Sequence, residues 1–212
     1  MTPIEFFFDF ISPYAHLAAP RVQALAQRHG RPLAWRPFRL GVTVVKVMGL
    51  RPMMETPLKS DYVRADLKRL SVLLDEPLHL GSTSVSDVSA APQLFYAVEP
   101  ADRERVALAL LHARWAEGID IGDAAALRRI AVALGLDPAL ANRCSGSDEA
   151  KAQLRQTAED AIARGVFGSP TCAVGEHLFW GVDRLWMLDE FLAAGERYRA
   201  LPPPLASALA YR

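Results

Sequence analysis

The segment Phe8-Asp9-Phe10-Ile11-Ser12-Pro13-Tyr14 puts a hydroxyl directly before a proline, at the end of an apolar run. Serine caps the free N–H groups at a helix start and proline fits the first helical turn, so Ser12 predicts the beginning of a helix. A helix N-terminus gathers unpaired N–H donors and the positive end of the helix dipole, which favour a thiolate or another anion. A dithiol oxidoreductase would carry Cys-x-x-Cys at such a turn. Here it reads Ser12-Pro13-Tyr14-Ala15, so disulfide exchange through this motif is excluded. Serine can still donate a hydrogen bond to a sulfur that a ligand brings in. One such bond to a charged acceptor is worth about 1.5–3 kcal/mol. That lowers a thiol pKa by about one to two units from a free value of roughly 8.5. The plainer reading of Ser12 is a helix cap and nothing more.

A second stretch is Gly165-Val166-Phe167-Gly168-Ser169-Pro170-Thr171, just before a β-prone run. A cis X–Pro bond is uncommon, but a tight turn is its usual home, and there it would offer the Ser169 backbone N–H and C=O to a ligand. An ordinary trans proline opening a strand is the alternative. The two cysteines, Cys144 and Cys172, make no disulfide framework and have no metal-ligand spacing. His16, His29, His79, His112 and His177 form no HExxH or paired pattern, so zinc chemistry has no support.

The elements that must carry these groups follow from pattern. Ile4 to Phe8 is short, aromatic and apolar, as a central strand is. A helix from Tyr14 toward His29 ends at Gly30, with Pro20 predicted to kink it. A second strand covers Leu33 to Phe38. Apolar residues at Val63, Leu67, Leu70 and Leu74 sit at helical spacing, and helices are also predicted over Ala101 to Glu117, Asp123 to Leu134, and from Ser147 to Arg164. No strand of any strength stands between residues 57 and 164. Thr171 to Val174 and His177 to Trp180 then read as a hairpin around Gly175-Glu176, and Val182-Asp183-Arg184 opens a final helix.

A βαβ unit and a ββα unit separated by helices is the layout of a thioredoxin fold with an insertion. The expected fold is therefore α/β, a thioredoxin-like domain with an inserted all-helical domain. It divides into residues 1–50 with 165–200, a helical insertion over 51–164, and a tail over 201–212 that holds Pro202-Pro203-Pro204.

Composition narrows the partners. With 24 Lys plus Arg against 24 Asp plus Glu, the formal net charge is zero, which argues against nucleic acid as a partner. No apolar stretch approaches the roughly 18 residues of a membrane span. The N-terminus lacks the basic region of a signal peptide. Two scattered cysteines suit a reducing, cytoplasmic setting.

Five stretches in order give the sequence a resemblance to the 2-hydroxychromene-2-carboxylate isomerases and kappa-class glutathione transferases, which share a DsbA-like thioredoxin fold. They are Phe8 to Tyr14; Pro57-Leu58-Lys59-Ser60-Asp61-Tyr62 with Asp66 to Arg69; Trp115-Ala116-Glu117-Gly118 with Asp120-Ile121; Gly165 to Thr171; and Phe179-Trp180-Gly181-Val182-Asp183-Arg184-Leu185. The resemblance implies glutathione as the cofactor. It implies that Ser12 activates the sulfur, that Ser169 before a cis Pro170 pairs with the cysteinyl backbone, and that Asp183 takes the γ-glutamyl ammonium in a charge-assisted bond. Lys59 is implied to face a carboxylate, of glutathione or of substrate; its other reading is a solvated helix lysine. Tyr14, Tyr62 and Trp115 are either pocket walls for a small aromatic substrate or core. Leu50 and Val182 stand where the family commonly has Asn, and Asn or Ser. The implied activity is isomerisation by reversible thiolate addition to an aromatic-catabolism intermediate. A kappa-class-like transferase and a non-catalytic thioredoxin-like binding protein are the alternatives, and the resemblance leaves a homodimer open.

Overall fold

The computed structural model describes residues 1–81, 85–141 and 147–195; Cys144 and the proline-rich tail lie outside them. Its sheet has four strands, β1 (Ile4–Phe8), β2 (Leu33–Pro37), β3 (Thr171–Val174) and β4 (His177–Trp180), in the order β2-β1-β3-β4. β2 runs parallel to β1, whereas β3 and β4 are antiparallel additions on its other side. Phe6 to Phe8 of β1 form an unbroken apolar run because the strand is covered on both faces there, while Glu5 near its start pairs with Arg36 and Arg164. Phe6 and Phe8 pack into the larger core and Phe7 into a smaller one with Phe38, Ala161, Val166 and Ala173, as the two-residue strand period requires.

The helices are α1 (Pro13–Arg28), α2 (Lys59–Leu73), α3 (Ala90–Ala97), α4 (Arg103–Trp115), α5 (Ala124–Ala133), α6 (Asp148–Ala163) and α7 (Leu185–Ala194). Ser12, Asp123 and Ser147 cap α1, α5 and α6 through their side-chain oxygens, as their residue types predict. α1 continues through Pro20 to Arg28. The last helix begins at Leu185, three residues later than the sequence suggests, because Val182–Arg184 forms a 3-10 turn.

Two elements escape the sequence reading. α3 is short, contains Pro92 and is apolar nearly all round, so it shows little amphipathic period. Val42–Val47 forms a π-helical turn from β-branched residues whose propensity is for strand.

The larger core runs from Ile4, Phe6 and Phe8 through Leu94 and Phe95 to Leu110 and Trp115, so α3 and α4 share one apolar interior with the sheet. Aromatic edges join them: Phe8 meets Trp35 and Phe95 in T-shaped contacts, with ring centroids 5.7 and 6.3 Å apart. No helix among the described residues is long and apolar enough to cross a membrane.

Candidate active site

The site forms where β1 hands over to α1, opposite the turn into β3. Ser12 is extended at φ −98° and ψ 113°, and its Oγ accepts the Ala15 N–H at 3.3 Å. The same hydroxyl donates to the Ser169 carbonyl at 3.2 Å. Both residues are buried. The Ser169–Pro170 peptide is cis. Ser169 is held by its own hydroxyl, which accepts the Asp9 N–H at 2.9 Å. The first turn of α1 contains no acidic residue, so the dipole end stays available to an anion.

The rim is built by α2 and by the turn before α7. Gly181, at φ +100°, donates its N–H to the Pro170 carbonyl at 2.9 Å and sets the turn that carries Asp183. A Cβ at Gly181 would sit 2.5 Å from an Asp183 carboxylate oxygen, so glycine is what lets that side chain lie there. Asp183 is exposed and paired with Arg184 at 2.6 Å. Tyr14, half-buried at the first turn of α1, donates its hydroxyl to Asp66 Oδ2 at 3.0 Å. Burial, then the hydrogen bond to Asp66, then the fields of Asp66, Tyr62 and Asp183 hold the Tyr14 phenol well above its ordinary pKa. The Tyr14–Asp66 bond joins α1 to α2, and α1 also packs against the Val182–Arg184 turn that carries Asp183.

Lys59, Tyr62 and Asp66 follow one face of α2 at intervals of three and four. Asp66 meets Tyr14, and the seven residues back to Lys59 span about 10 Å at 1.5 Å per residue. Lys59 is exposed and has no ion-pair partner among the described residues. Leu58 before it is also exposed and sits at φ +67°, a conformation that bulky side chains rarely adopt.

Not every predicted residue lines the site. Trp115, open between pocket wall and core in the sequence, is a core residue: it is 2% exposed and its indole N–H donates to the Phe10 carbonyl at 2.9 Å. Tyr62 is exposed on α2 rather than packed inside. Cys172 is structural; its thiol is buried in the larger core and burial pushes its pKa far up, away from reactivity. Val182 points into that core too, whereas Leu50 is exposed. Two carboxylates that the sequence reading does not single out enter the site, Asp66 and Asp9. Their only signals were an i, i+4 offset from Tyr62 and a lone charge in an aromatic run.

The arrangement has a hydroxyl at a helix N-terminus, a backbone carbonyl facing it, an exposed carboxylate paired with Arg184 on one rim and the exposed Lys59 ammonium on another. Comparisons with known proteins place the chain in a family. The DSBA-like thioredoxin domain profile matches residues 3–193. A 2-hydroxychromene-2-carboxylate isomerase of Sphingobium xenophagum is 33% identical, over 89% of this chain and 97% of its own. Human glutathione S-transferase kappa 1 is 27% identical, over 97% of this chain and 96% of its own. A solved structure of a 2-hydroxychromene-2-carboxylate isomerase superposes with a TM-score of 0.80 at 27% identity, covering 93% of this chain and 97% of that one.

Proposed function

The chain belongs to the DSBA-like thioredoxin family, among the 2-hydroxychromene-2-carboxylate isomerases and kappa-class glutathione transferases, and on that premise we propose that it is a glutathione-dependent isomerase of a small aromatic-catabolism intermediate. The observation that carries this reading is the Ser12 hydroxyl at the α1 N-terminus, 3.2 Å from the Ser169 carbonyl. A serine so placed cannot exchange disulfides, but it can stabilise a borrowed thiolate.

Held by Ser12, Ser169, Asp183 and Lys59, glutathione would supply a thiolate nucleophile for reversible addition and would be regenerated, not consumed. The chain's own residues prepare that chemistry. Ser12 turns its O–H from the Ser169 carbonyl to the sulfur, while the Ala15 N–H continues to polarise its oxygen. The Ser169 carbonyl, relieved of Ser12, accepts the cysteinyl N–H. Asp183 takes the γ-glutamyl ammonium, and Lys59 takes a carboxylate of the glycine end or of the substrate. Tyr14, half-buried at the first turn of α1, gives an aromatic wall beside the sulfur.

The test is product analysis with purified protein, glutathione and a hydroxychromene carboxylate. Isomer formation with glutathione conserved supports the reading; stoichiometric loss of glutathione assigns the kappa-class-like transferase activity instead. That second reading is favoured by the human kappa-class likeness, which spans nearly all of both chains. An unchanged melting midpoint at millimolar glutathione would leave a non-catalytic binding protein, because a ligand that binds only the native state must raise it.

A further inference from the structure

One carboxylate beside the thiol site is not used by the reading above. Asp9 follows β1 directly and is 4% exposed, flanked by the fully buried Phe8 and Phe10. A buried carboxylate is costly unless it is hydrogen-bonded. Two backbone N–H groups from different segments supply those bonds: Ile11 donates to Oδ1 at 3.1 Å and Leu40 donates to Oδ2 at 2.7 Å. Ile11 is the residue before Ser12. Leu40 follows β2 and leads into the turn Val42–Val47.

The Asp9 backbone completes the junction. Its N–H donates to Ser169 Oγ at 2.9 Å and its carbonyl accepts the Ser12 N–H at 3.0 Å. One residue thus holds the serine turn, the chain after β2 and the turn into β3, while the bonds it makes leave the Ser12 hydroxyl and the Ser169 carbonyl free for each other. Around the carboxylate, the β3 side presents the neutral Ser169 hydroxyl and the α1 side the Ile11 backbone. The segment after β2 presents Arg39, whose field favours the ionised form. Burial outweighs these bonds and that field, and raises the pKa to about 6.

We propose that Asp9 is a positioning residue for the thiol site: its carboxylate ties the Ser12 turn to the segment after β2 and so holds the Ser12 hydroxyl opposite the Ser169 carbonyl. The proposal rests on the reading of Ser12 as the thiol-activating group. It makes a prediction of definite sign. A carboxylate that acted on a nearby thiolate only as a like charge would raise the thiol pKa, so removing it would lower that pKa. A carboxylate that positions Ser12 has the opposite effect, and removing it raises the pKa.

The experiment is an ultraviolet titration of the thiolate of glutathione bound to the wild-type protein and to Asp9→Asn. Asparagine keeps the size and one carbonyl oxygen but turns an amide donor against one of the two N–H groups. The bound thiol pKa is expected to rise by about one unit in the variant, which cuts the thiolate fraction near neutral pH up to about tenfold. An unchanged or lowered pKa overturns the proposal. A second measurement covers a variant that does not fold. Protonating the wild-type carboxyl puts a hydrogen on one of its two oxygens and removes one acceptor, so the amide resonances of Ile11 and Leu40, followed by NMR without ligand, must titrate together with a midpoint near 6. Resonances of Ile11 and Leu40 that stay fixed while the Asp9 carboxyl carbon itself titrates overturn the tie. A wild-type protein that binds no millimolar glutathione overturns the thiol-site reading and takes the proposal with it. A wild-type protein that binds and activates glutathione no better than Asp9→Asn overturns the role of Asp9 alone.

Discussion

The Ser12 hydroxyl donates to the Ser169 carbonyl across 3.2 Å, joining residues 157 positions apart in the chain. The bond puts a movable proton donor and a backbone acceptor face to face, which is what a thiol peptide needs from a site: one partner for its sulfur, one for its amide. Each group satisfies the other, so neither is left as a buried polar group without a partner. Under the proposed function, glutathione would exchange this bond for one to its sulfur and one to its amide.

Replacing Ser12 by alanine tests that exchange. Ser12→Ala is expected to fold, with stability lowered by about 1 kcal/mol for the lost cap and a melting midpoint some 2–4 °C lower. Turnover is expected to fall at least tenfold, since a bond to a charged sulfur is worth about 1.5–3 kcal/mol. Steady-state kinetics beside a melting curve separate the two effects. Full activity with the lowered midpoint would reduce Ser12 to a cap.

The part of the site set by local chemistry was legible in the sequence. Ser12 before Pro13 announces a helix start by itself, and the hairpin of β3 and β4 follows from two short β-prone runs around Gly175-Glu176. The resemblance, and not spacing, pointed to a cis Pro170. What was hidden depends on residues far apart. Asp9 reads only as an interruption of an aromatic run until Leu40, 31 positions on, is brought to its carboxylate. Trp115 reads equally as wall or core from its stretch, and its burial and the bond to the distant Phe10 carbonyl place it in the core. Tyr62 sits one helical turn from Asp66, but nothing in α2 itself says that Tyr14 of another helix will bond that carboxylate.

Asp183 should act on binding and not on the chemical step. It is exposed and shares its charge with Arg184, so solvent screening limits its contribution to about 1 kcal/mol or a little more. Asp183→Asn is expected to weaken glutathione binding about three- to tenfold by calorimetry, and less so at high salt. Turnover at saturating glutathione should be unchanged. A loss of turnover with intact affinity would remove Asp183 from the ammonium subsite.

Tyr14 stands two residues after Ser12, in the first turn of α1. Burial and the bond to Asp66 raise its pKa, so it is protonated at neutral pH and committed as a donor. Tyr14→Phe is expected to cost about 1 kcal/mol of stability, the worth of one hydrogen bond, and to change turnover less than tenfold. The pH profile of turnover should keep its shape from about pH 6 to 9, because a phenol held above its ordinary range does not titrate there. A basic limb that vanishes in the variant would make Tyr14 a proton-transfer group.

Asp9 carries a stability cost whose sign can be worked out. Its pKa rises from 3.8 unfolded to about 6 folded, with burial the leading cause. The folded state therefore prefers the protonated form. The contribution to stability is fully present below about pH 4 and is lost as pH rises through about 6, and it amounts to roughly 3 kcal/mol at 1.36 kcal/mol per unit. Asp9→Asn cannot ionise, so it keeps its stability through that window. The unfolding free energy of the wild type relative to Asp9→Asn should accordingly fall by about this amount between pH 4 and 7, measured by urea denaturation at each pH. A difference that stays flat, or that moves in favour of the wild type, would show that the carboxylate is not desolvated as its burial requires. The ionised form is also the one that accepts both the Ile11 and Leu40 N–H groups. A carboxylate kept at that position thus stabilises the geometry of the site at the expense of the stability of the fold, a trade that a purely structural residue would have no reason to make.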